Sequence, residues 1–432
     1  MLQHTGKLVL AGLLIVGAGV AVAGERGPAA DDTGKMIVHE WGTFLSVQGS
    51  DGVTLGGMVD SEENLPNFVR ERDLYGRNRA GFMSKMETPV TYFYVDQPRT
   101  VQVKVGMPGG LLTHWYPAVR SFGPPPVPRD QKAPIAPAAS GSFLDWGKIE
   151  VIPDYRSLGF SLLPSSFKAV DDKSTWRFAR ETDSAFVKMG PDNSRVRPLA
   201  TGEWEKFLFY RGLGSFDLPL HVRASGPADD VRLQLSSQDS CNRLGGIFVI
   251  RVENGAVRFC ALPNMGPNDF QEVALASALS EPLCQKVGTG PVQKAVEAAL
   301  VKAGLYAKEA RAMVNTWERS YFRTDGLRVL YVLPRAVTDA TIPLQIQPAP
   351  DELVRVMVGR VEVLTPAKEA RIEKAVADLG RRDPTARKAA EAELAHLGRL
   401  QEPILHRIAT VAHDSQVRER AGELIHGGQK AK

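Results

Sequence analysis

The amino-acid sequence predicts an α+β protein in two parts. Residues 36–364 are expected to form a β-rich, sandwich-like module with two inserted helices, and residues 365–432 a small all-α tail of helical hairpins. The first part holds short segments in which apolar and polar residues alternate, such as Val101, Val103 and Val105, and this period of two is typical of half-buried strands. Turns rich in Gly and Pro separate these segments, as in two-sheet β domains. In the second part the apolar residues recur at helical spacing.

The first 23 residues have the pattern of a secretory signal peptide. Lys7 supplies a positive start, residues 8–20 are apolar, and Ala21-Val22-Ala23 is a small-x-small cleavage site. The apolar run is shorter than the ~20 residues that cross a bilayer, which favours cleavage over an uncleaved anchor. The sequence therefore predicts an exported protein, periplasmic or extracellular, with no membrane span after cleavage. The small and polar residues 24–35 are expected to be a disordered lead-in.

The charge balance gives no reason to expect a nucleic-acid partner. The chain of 432 residues has 53 Lys and Arg against 49 Asp and Glu, a formal net charge of only +4 that is spread along the sequence. The sequence also contains no phosphate-binding loop, no dinucleotide fingerprint and no Gly-x-Ser-x-Gly nucleophile elbow. We therefore predict no nucleic-acid partner and no cofactor.

Within the β module, residues 89–95 and 327–333 are dense apolar runs and are expected to be central strands. Residues 101–105 and 111–116 flank the turn Met107-Pro108-Gly109-Gly110, and we predict that they pair as a hairpin. The stretch of residues 123–139 contains six prolines, which predicts an extended loop with no hydrogen-bonded ladder of its own. This proline-rich loop leaves open whether the β module is one domain or two.

Asn254-Gly255, between residues 247–252 and 256–262, predicts a tight type I′ hairpin. In that register Cys260 faces Val249. The chain has three cysteines, at Cys241, Cys260 and Cys284. The register excludes direct cross-strand pairing of the first two, whereas a bridge from the third to either of the others stays open. Their spacing is not a zinc signature.

Two helices are predicted inside the β module. Val292, Val296 and Ala299 recur at helical spacing, and Gly304 offers a stop. A second apolar stripe at helical spacing follows, made of Ala310, Met313, Val314, Trp317 and Tyr321. Stripes of methionine and aromatic residues usually pack in a core, so we predict that Trp317 is a core residue and does not hold a cofactor.

The tail is predicted to contain four helices in two hairpins. Thr365-Pro366 and Asp383-Pro384 are N-cap residues followed by proline at the first helical position, so each predicts a helix start. Four apolar faces lie in residues 372–379, 390–397, 404–411 and 417–425. Because two hairpins are few for independent stability, we expect the tail to dock on the β module.

The tail resembles the HEAT-type repeats of exported bacterial proteins. The resemblance is carried by Asp383-Pro384, Leu397-Gly398, Pro403 and residues 417–421. It implies a small module that binds a protein partner, because stacked helical repeats present extended surfaces and seldom hold catalytic groups.

The motif His39-Glu40-Trp41-Gly42-Thr43-Phe44 opens the β module and carries candidate chemistry. Successive side chains of a strand point to opposite faces, so His39, Trp41 and Thr43 share one face and Glu40 lies on the other. His39 and Glu40 are therefore not expected to serve one site without a bulge. The motif is not a helical zinc site, because the second His of HExxH is absent.

Glu87 and His114 are further candidates. If the strands that begin near residues 37, 89 and 111 are neighbours, His39, Glu87 and His114 could converge as two imidazoles and a carboxylate, a ligand set for zinc or non-haem iron. No local spacing enforces that geometry, and we predict no metal site. Paired carboxylates beside aromatic residues would instead suit glycoside hydrolysis. Trp41 and Trp115 are candidate ligand-binding residues, because aromatic faces pack on apolar ligand surfaces.

Four segments of the β module are similar to segments of a family of exported bacterial proteins without an assigned activity. They are residues 39–44, Lys85-Met86-Glu87-Thr88-Pro89 with Tyr92-Phe93-Tyr94, residues 326–331 and residues 358–362. The resemblance supports one module over most of residues 36–364 and implies no catalytic residues. We predict a periplasmic or secreted binding or scaffold protein that contacts a protein partner through its tail. The alternative is a hydrolase, metal-dependent or carbohydrate-active, that uses His39, Glu40, Glu87 and His114.

Overall fold

The computed structural model describes residues 34–59, 64–74, 81–125, 141–155, 167–189, 202–216, 218–238, 243–279 and 288–430. The predicted signal peptide, most of the predicted lead-in, most of the proline-rich loop, and Cys241 and Cys284 lie outside these ranges. Among the helices within them, none is long and apolar enough to cross a membrane.

The described part of the chain contains eighteen strands in three sheets. In chain order the strands are β1 (Met36–Gln48), β2 (Arg70–Glu71), β3 (Ser84–Val95), β4 (Arg99–Met107), β5 (Gly110–Tyr116), β6 (Ser121–Gly123), β7 (Ser142–Ile152), β8 (Phe186–Met189), β9 (Trp204–Glu205), β10 (Leu208–Gly214), β11 (Leu220–Ser225), β12 (Arg232–Ser237), β13 (Gly245–Glu253), β14 (Ala256–Leu262), β15 (Phe270–Ala274), β16 (Gly326–Val332), β17 (Leu344–Gln347) and β18 (Glu352–Val363).

The largest sheet has nine strands in the order β14-β13-β16-β18-β1-β3-β10-β5-β2. A six-stranded sheet runs β17-β4-β7-β8-β9, with β6 paired to β7, and a three-stranded sheet runs β11-β12-β15. The motif strand β1 lies in the middle of the largest sheet, parallel to β18 and antiparallel to β3. A central strand is covered on both faces, and β1 is accordingly buried along nearly its whole length.

One face of the nine-stranded sheet packs against both smaller sheets. Phe44 and Met357 of the large sheet share a buried cluster with Trp146 of the six-stranded sheet and Leu233 of the three-stranded sheet. The flanks of the proline-rich loop, β6 and β7, pair with each other, so this loop does not separate two sheets.

The described helices are α1 (Trp176–Ala179), α2 (Leu275–Ala278), α3 (Gly290–Lys302), α4 (Ala307–Thr316), α5 (Arg335–Thr341), α6 (Pro366–Asp378), α7 (Pro384–His396), α8 (Gln401–Val411) and α9 (Ser415–Lys430). A π-helical turn (Arg319–Arg323) follows α4, and a 3-10 turn (Gly398–Leu400) joins α7 to α8. Strands and helices both build the chain, which confirms the predicted α+β class.

The second face of the nine-stranded sheet is covered by α3 and α4, and we call it the helical face. Trp41 and Leu330 of the sheet cluster there with Val296 of α3 and Met313 of α4. The two predicted inserted helices are therefore present. The second is shorter than its apolar stripe predicts, because α4 ends at Thr316 and the chain continues as the π-helical turn.

The tail contains the four predicted helices, α6 to α9, and the two whose starts the sequence predicts, α6 and α7, begin at those positions. Thr365 accepts a hydrogen bond from the backbone N–H of Lys368, and Asp383 accepts one from that of Thr385. Leu45 and Val47 of β1 share a buried cluster with Ile372, Leu394, Ile404 and other apolar residues of the tail. The expected docking of the tail on the β module is thus confirmed.

One predicted hairpin is confirmed and one is wrong. β13 and β14 pair around Asn254-Gly255 with Cys260 opposite Val249, as predicted. β4 and β5 do not pair, because β4 lies between β7 and β17 whereas β5 lies between β10 and β2. The turn between them carries the chain from one sheet to another. β4 alternates between buried and exposed residues, whereas β5 is buried on both faces, as a strand inside a covered sheet must be.

Candidate functional site

A β-bulge lies where the motif strand meets the Lys85-Met86-Glu87-Thr88-Pro89 segment. The register between β1 and β3 shifts between Trp41 and Thr43, which leaves one extra residue on β3. Thr88 in this bulge has φ of 51°, a left-handed conformation that a β-branched residue rarely adopts. Gly42 permits the close approach of the strands, because a Cβ at this position would lie 2.9 Å from Pro89 Cα.

The strand register places Glu87 on the helical face of the sheet. Glu87 lies opposite Thr43, and paired residues of neighbouring strands share a face. Thr43 shares a hydrogen bond of 2.5 Å with the hydroxyl of Tyr321 in the π-helical turn, which belongs to the helical layer. Glu87 is only 1% exposed. A buried carboxylate on this face needs compensating partners.

These partners belong to a group of buried charged side chains that we call the charge cluster. Its members are Lys85, Glu87, Arg211, Arg328, Arg360, Glu362 and Arg399. Arg399 Nη1 donates to Glu87 Oε1 at 2.9 Å, and Lys85 Nζ lies 3.9 Å from the same oxygen. Arg399 lies in the 3-10 turn between α7 and α8, so the helical tail contributes a side chain to the cluster.

The second carboxylate of the charge cluster is Glu362. Its Oε1 accepts from Arg328 Nε at 3.0 Å and from Arg360 Nε at 2.7 Å. The guanidinium of Arg360 also lies 5.7 Å from the ring centroid of Tyr321. The charge cluster as described thus has five cationic side chains and two carboxylates.

The charge cluster shifts the pKa values of nearby groups. Burial alone would raise the pKa of Glu87, but the cations of the cluster, Arg399 first among them, outweigh burial and hold that pKa below its usual range. Burial lowers the pKa of His114 to about 3, and Arg211 and Lys85 act in the same direction. At neutral pH Glu87 is therefore ionised and His114 is uncharged.

Acid is expected to destabilise the protein through Glu362. Burial alone would raise the pKa of this group, but Arg328 and Arg360 lower it from 4.5 to about 2. Because the folded-state pKa is the lower one, the ionised carboxylate stabilises the fold above about pH 4.5, and this contribution of roughly 3 kcal/mol is lost as the pH falls toward 2. Urea unfolding between pH 7 and pH 2 measures the loss. Glu362→Gln should flatten the pH dependence in that window, and an unchanged slope in this variant would contradict the assignment.

A partly open pocket adjoins the charge cluster on the helical face; its cavity volume is about 20 Å³, and its empty space of about 420 Å³ includes open solvent. Its wall is mainly apolar and aromatic, and it is formed by β3, β10, α1, the end of α4 and the loop before β2. The lining residues are Asn64, Leu65, Pro66, Thr88, Val90, Ser174, Thr175, Trp176, Ala179, Phe207, Arg211, Thr316 and Trp317. Arg211 is the one charged residue among those described, and it connects the pocket to the charge cluster.

Hydrogen bonds fix the polar groups of the pocket wall. Arg211 Nη2 donates to the hydroxyl of Thr88 at 3.3 Å. The indole N–H of Trp176 donates to Glu205 at 3.0 Å, which holds that ring in place. The indole N–H of Trp317 is buried and has no acceptor among the described residues. A buried donor without an acceptor loses a hydrogen bond that a ligand can restore.

The structure separates His39 from Glu87. His39 Nδ1 lies 2.7 Å from Glu309 Oε2, and its ring packs on Tyr306 with 4.4 Å between centroids. On β1, His39 is four residues from Thr43, the strand partner of Glu87, which is roughly 13 Å at the rise of a strand. The expectation that these side chains could converge is therefore wrong.

Glu40 lies on the opposite face of β1 from His39, as the alternation of a strand predicts. Its carboxylate accepts from Arg355 Nε at 2.6 Å, from the hydroxyl of Thr91 at 3.0 Å, and from the hydroxyl of Tyr210. These donors engage both oxygens of the buried group. Glu40 therefore connects strands within the core and does not line the pocket.

His114 lies beside Arg211 across the β5–β10 pair. Its Nδ1 is 2.9 Å from the hydroxyl of Thr113, and its Nε2 is 3.5 Å from the exposed carboxylate of Glu71. Of the predicted candidates, the structure thus brings Glu87 and His114 to the charge cluster and leaves His39 and Glu40 elsewhere. Among the described side chains, no three His, Cys, Asp or Glu residues are grouped so that they could hold a metal ion.

Trp41 and Trp115, the predicted ligand-binding residues, both lie in hydrophobic cores. Trp41 is fully buried on the helical face, and Trp115 is 5% exposed and belongs to the cluster between the sheets. Neither is among the residues that line the pocket. The prediction is therefore wrong. Both tryptophans pack in the core, because β1 and β5 are covered on both faces.

Sequence patterns did not identify most residues of the described pocket and of the charge cluster as part of a site. Trp317 was predicted to be a core residue, and it is both buried and part of the pocket wall. Arg211 was given no role, although it interrupts a strand that is otherwise apolar or small. A charged residue inside such a run is the sequence signal that could have found it, because burying a charge is costly unless it is paired or functional.

Comparisons with known proteins add little to this geometry. No family model matches the chain, and no curated protein matches it. A zebrafish (Danio rerio) Fcho1 mu homology domain with bound Eps15 peptide is similar at 9% identity and a TM-score of 0.26, covering 77% of this chain and 95% of that one. A yeast delta-COP-I mu-homology domain complexed with a Dsl1 WxWxV peptide has 10% identity and a TM-score of 0.26, with coverage of 76% and 96%. Similarity this low carries no argument about function.

Proposed function

We propose that this protein is an exported binding protein that holds a small ligand in the pocket beside Arg211. The observation that carries the proposal is the composition of the pocket wall. Three aromatic side chains, Trp176, Phe207 and Trp317, line the pocket. Small-molecule sites are mostly apolar concavities with a few polar groups that fix orientation. Here Arg211 and Thr88 supply those polar groups.

The location and the tail are part of the same proposal. The signal-peptide pattern of residues 1–23 and the resemblance to exported proteins that carry the residue 39–44 motif support a periplasmic or extracellular site of action. The resemblance of the tail to HEAT repeats supports a protein partner on its outward faces. The inward face is already occupied, since it packs on β1.

The hydrolase alternative depended on His39, Glu40, Glu87 and His114 acting together. His39 and Glu40 lie away from Glu87 and His114, and the carboxylate of Glu40 already accepts three hydrogen bonds. A general acid–base pair needs both groups within reach of one substrate. The geometry therefore favours binding over hydrolysis.

A neutral fluorescent dye tests whether the pocket binds a small molecule, independently of the charge of the ligand. N-phenyl-1-naphthylamine is expected to bind the wild-type protein saturably with enhanced emission, because the aromatic wall excludes water. Ala179 lines the pocket and is 2% exposed, so Ala179→Leu places a larger side chain in the space. We expect this variant to bind the dye at least about tenfold more weakly, since lost burial of one to two methylene groups corresponds to ~1.4 kcal/mol.

Ala256→Leu is the matched control, because Ala256 is exposed at the start of β14. This control should bind the dye as the wild type does. Near-ultraviolet circular dichroism and the thermal midpoint show whether each variant is folded. Absence of saturable binding to the wild type, or undiminished binding to a folded Ala179→Leu variant, would overturn the proposed pocket.

A further inference from the structure

The pocket has little room in this structure. Its cavity volume of about 20 Å³ holds about one water molecule, so a ligand with a ring can enter only if part of the wall moves. Three of the lining residues, Asn64, Leu65 and Pro66, belong to the segment of residues 64–69 that precedes β2. The other described lining residues lie in or near strands and helices. The 64–69 segment is therefore the part of the wall that has no regular secondary structure.

Apolar contacts attach the 64–69 segment to the part of the protein that the structure describes. Leu65, Phe68 and Val69 are half-buried against the apolar cluster of the helical face. A backbone hydrogen bond of 3.0 Å runs within the segment, from the N–H of Val69 to the carbonyl of Pro66, but none joins the segment to another described one. Segments with so few hydrogen bonds to their surroundings open locally at a low cost in free energy.

The side chain of Phe68 anchors the segment on two aromatic rings. Its ring centroid lies 4.6 Å from that of Tyr116 and 5.6 Å from that of Trp176, and it meets the Trp176 ring edge to face. Tyr116 is fully buried and Trp176 is 5% exposed. Because Trp176 also lines the pocket, Phe68 covers aromatic surface directly beside the space where a ligand would bind.

We propose that residues 64–69 form a lid over the pocket, and that an uncharged aromatic ligand displaces the ring of Phe68 when it binds. This inference rests on the proposed function, since it explains how a pocket with room for one water admits a larger molecule. When the lid moves away, Leu65 and Pro66 leave the wall and Phe68 leaves Tyr116 and Trp176. The cavity and the vacated position then form one apolar site, in which a ligand ring packs as Phe68 does. The lid is autoinhibitory, because the apparent affinity is reduced by the fraction of molecules that are open.

Truncation of Phe68 tests the lid. Phe68→Ala is expected to bind N-phenyl-1-naphthylamine about tenfold more tightly than the wild type does at pH 7, because it removes the two ring contacts that hold the lid closed. A side chain that only shaped the pocket would give weaker binding when it is truncated. Phe68→Leu keeps an apolar side chain without a ring and should show a smaller gain, and it supplies the same test if Phe68→Ala does not fold. Fluorescence titration measures the dissociation constants.

Phe216→Ala is the matched control. Phe216 is also half-buried and meets an aromatic ring edge to face, that of Phe44, with 5.3 Å between centroids. It packs against the cluster between the sheets and does not line the pocket. The control therefore removes the same atoms at a distance from the lid, and it should bind the dye as the wild type does. Near-ultraviolet circular dichroism shows whether each variant is folded.

The outcomes separate this inference from the proposed function. If the dye binds the wild type and the folded Phe68 variants bind it no more tightly, the lid is wrong and the pocket stands. An equal gain in Phe216→Ala would overturn the assignment to Phe68. Failure of the dye to bind the wild type counts against the pocket itself.

Discussion

Replacing Arg399 with methionine is expected to destabilise the protein by about 3–5 kcal/mol, the usual cost of removing one partner from a buried ion pair. The Arg399 side chain is 7% exposed and that of Glu87 is 1% exposed, so water cannot replace the lost cation. Arg399 is also the largest of the charge effects that lower the pKa of Glu87. The free energy of unfolding in urea at pH 7 measures the change.

Arg407 offers a matched control within the same tail. It too connects the tail to the β module, through Asp51 at 3.1 Å, but the Asp51 side chain is 43% exposed. Arg407 also pairs with Glu369 of the tail at 2.8 Å, and because both of its carboxylate partners are more exposed than Glu87, Arg407→Met should cost less than Arg399→Met. The double variant Glu87→Met/Arg399→Met should recover much of the loss, because it leaves neither charge buried alone. Equal costs for the two arginines would show that burial of the Glu87–Arg399 pair is not the cause.

The packing of the tail on the β module limits what a deletion of the tail can show. Residues of α6 to α9 share a hydrophobic cluster with Leu45, Val47, Leu55 and Met58 of the β module. Deleting residues 365–432 would expose that cluster and remove Arg399 together with any partner-binding surface. Loss of a partner in such a truncation would therefore not distinguish recognition from unfolding. Charge reversals on exposed residues of the tail are the sharper test of a partner.

Local chemistry was enough to predict much of the fold. The N-cap residues Thr365 and Asp383 lie where the helices begin, and Asn254-Gly255 turns the β13–β14 hairpin. These features depend on interactions within a few residues, which a single sequence displays. The pairing of β5 with β10 depends instead on contacts about a hundred residues apart, and the turn before β5 suggested a nearer partner.

The site was harder to predict because its members come from distant parts of the chain. Glu87 and Arg399 are separated by 312 residues, and no spacing rule connects them. The motif strand β1 shows a second limit of prediction from sequence. Its alternation correctly places His39 and Glu40 on opposite faces. It does not predict that His39 contacts Glu309 or that Glu40 contacts Arg355. The alternation of a strand determines the face to which a side chain points, whereas tertiary packing determines which residue it contacts.

Replacing Glu40 with alanine is expected to cost about 3–5 kcal/mol as well, because it leaves the Arg355 guanidinium buried without its closest carboxylate. Glu40 is fully buried and lies 2.6 Å from Arg355 Nε. The hydroxyls of Thr91 and Tyr210 lose their acceptor in the same step, and each buried donor left without an acceptor adds to the loss. Unfolding in urea at pH 7 measures the effect.

Asp339→Asn is the control for this prediction, since Asp339 also contacts Arg355, through Nη1 at 2.7 Å. The Asp339 side chain is 44% exposed, so water can solvate the guanidinium from that side and the loss should stay below about 1 kcal/mol. Glu40→Gln keeps the shape and one acceptor oxygen, and its cost should fall between the two. A Glu40→Ala cost no larger than that of Asp339→Asn would mean that the buried Glu40–Arg355 pair does not stabilise the core of the motif strand.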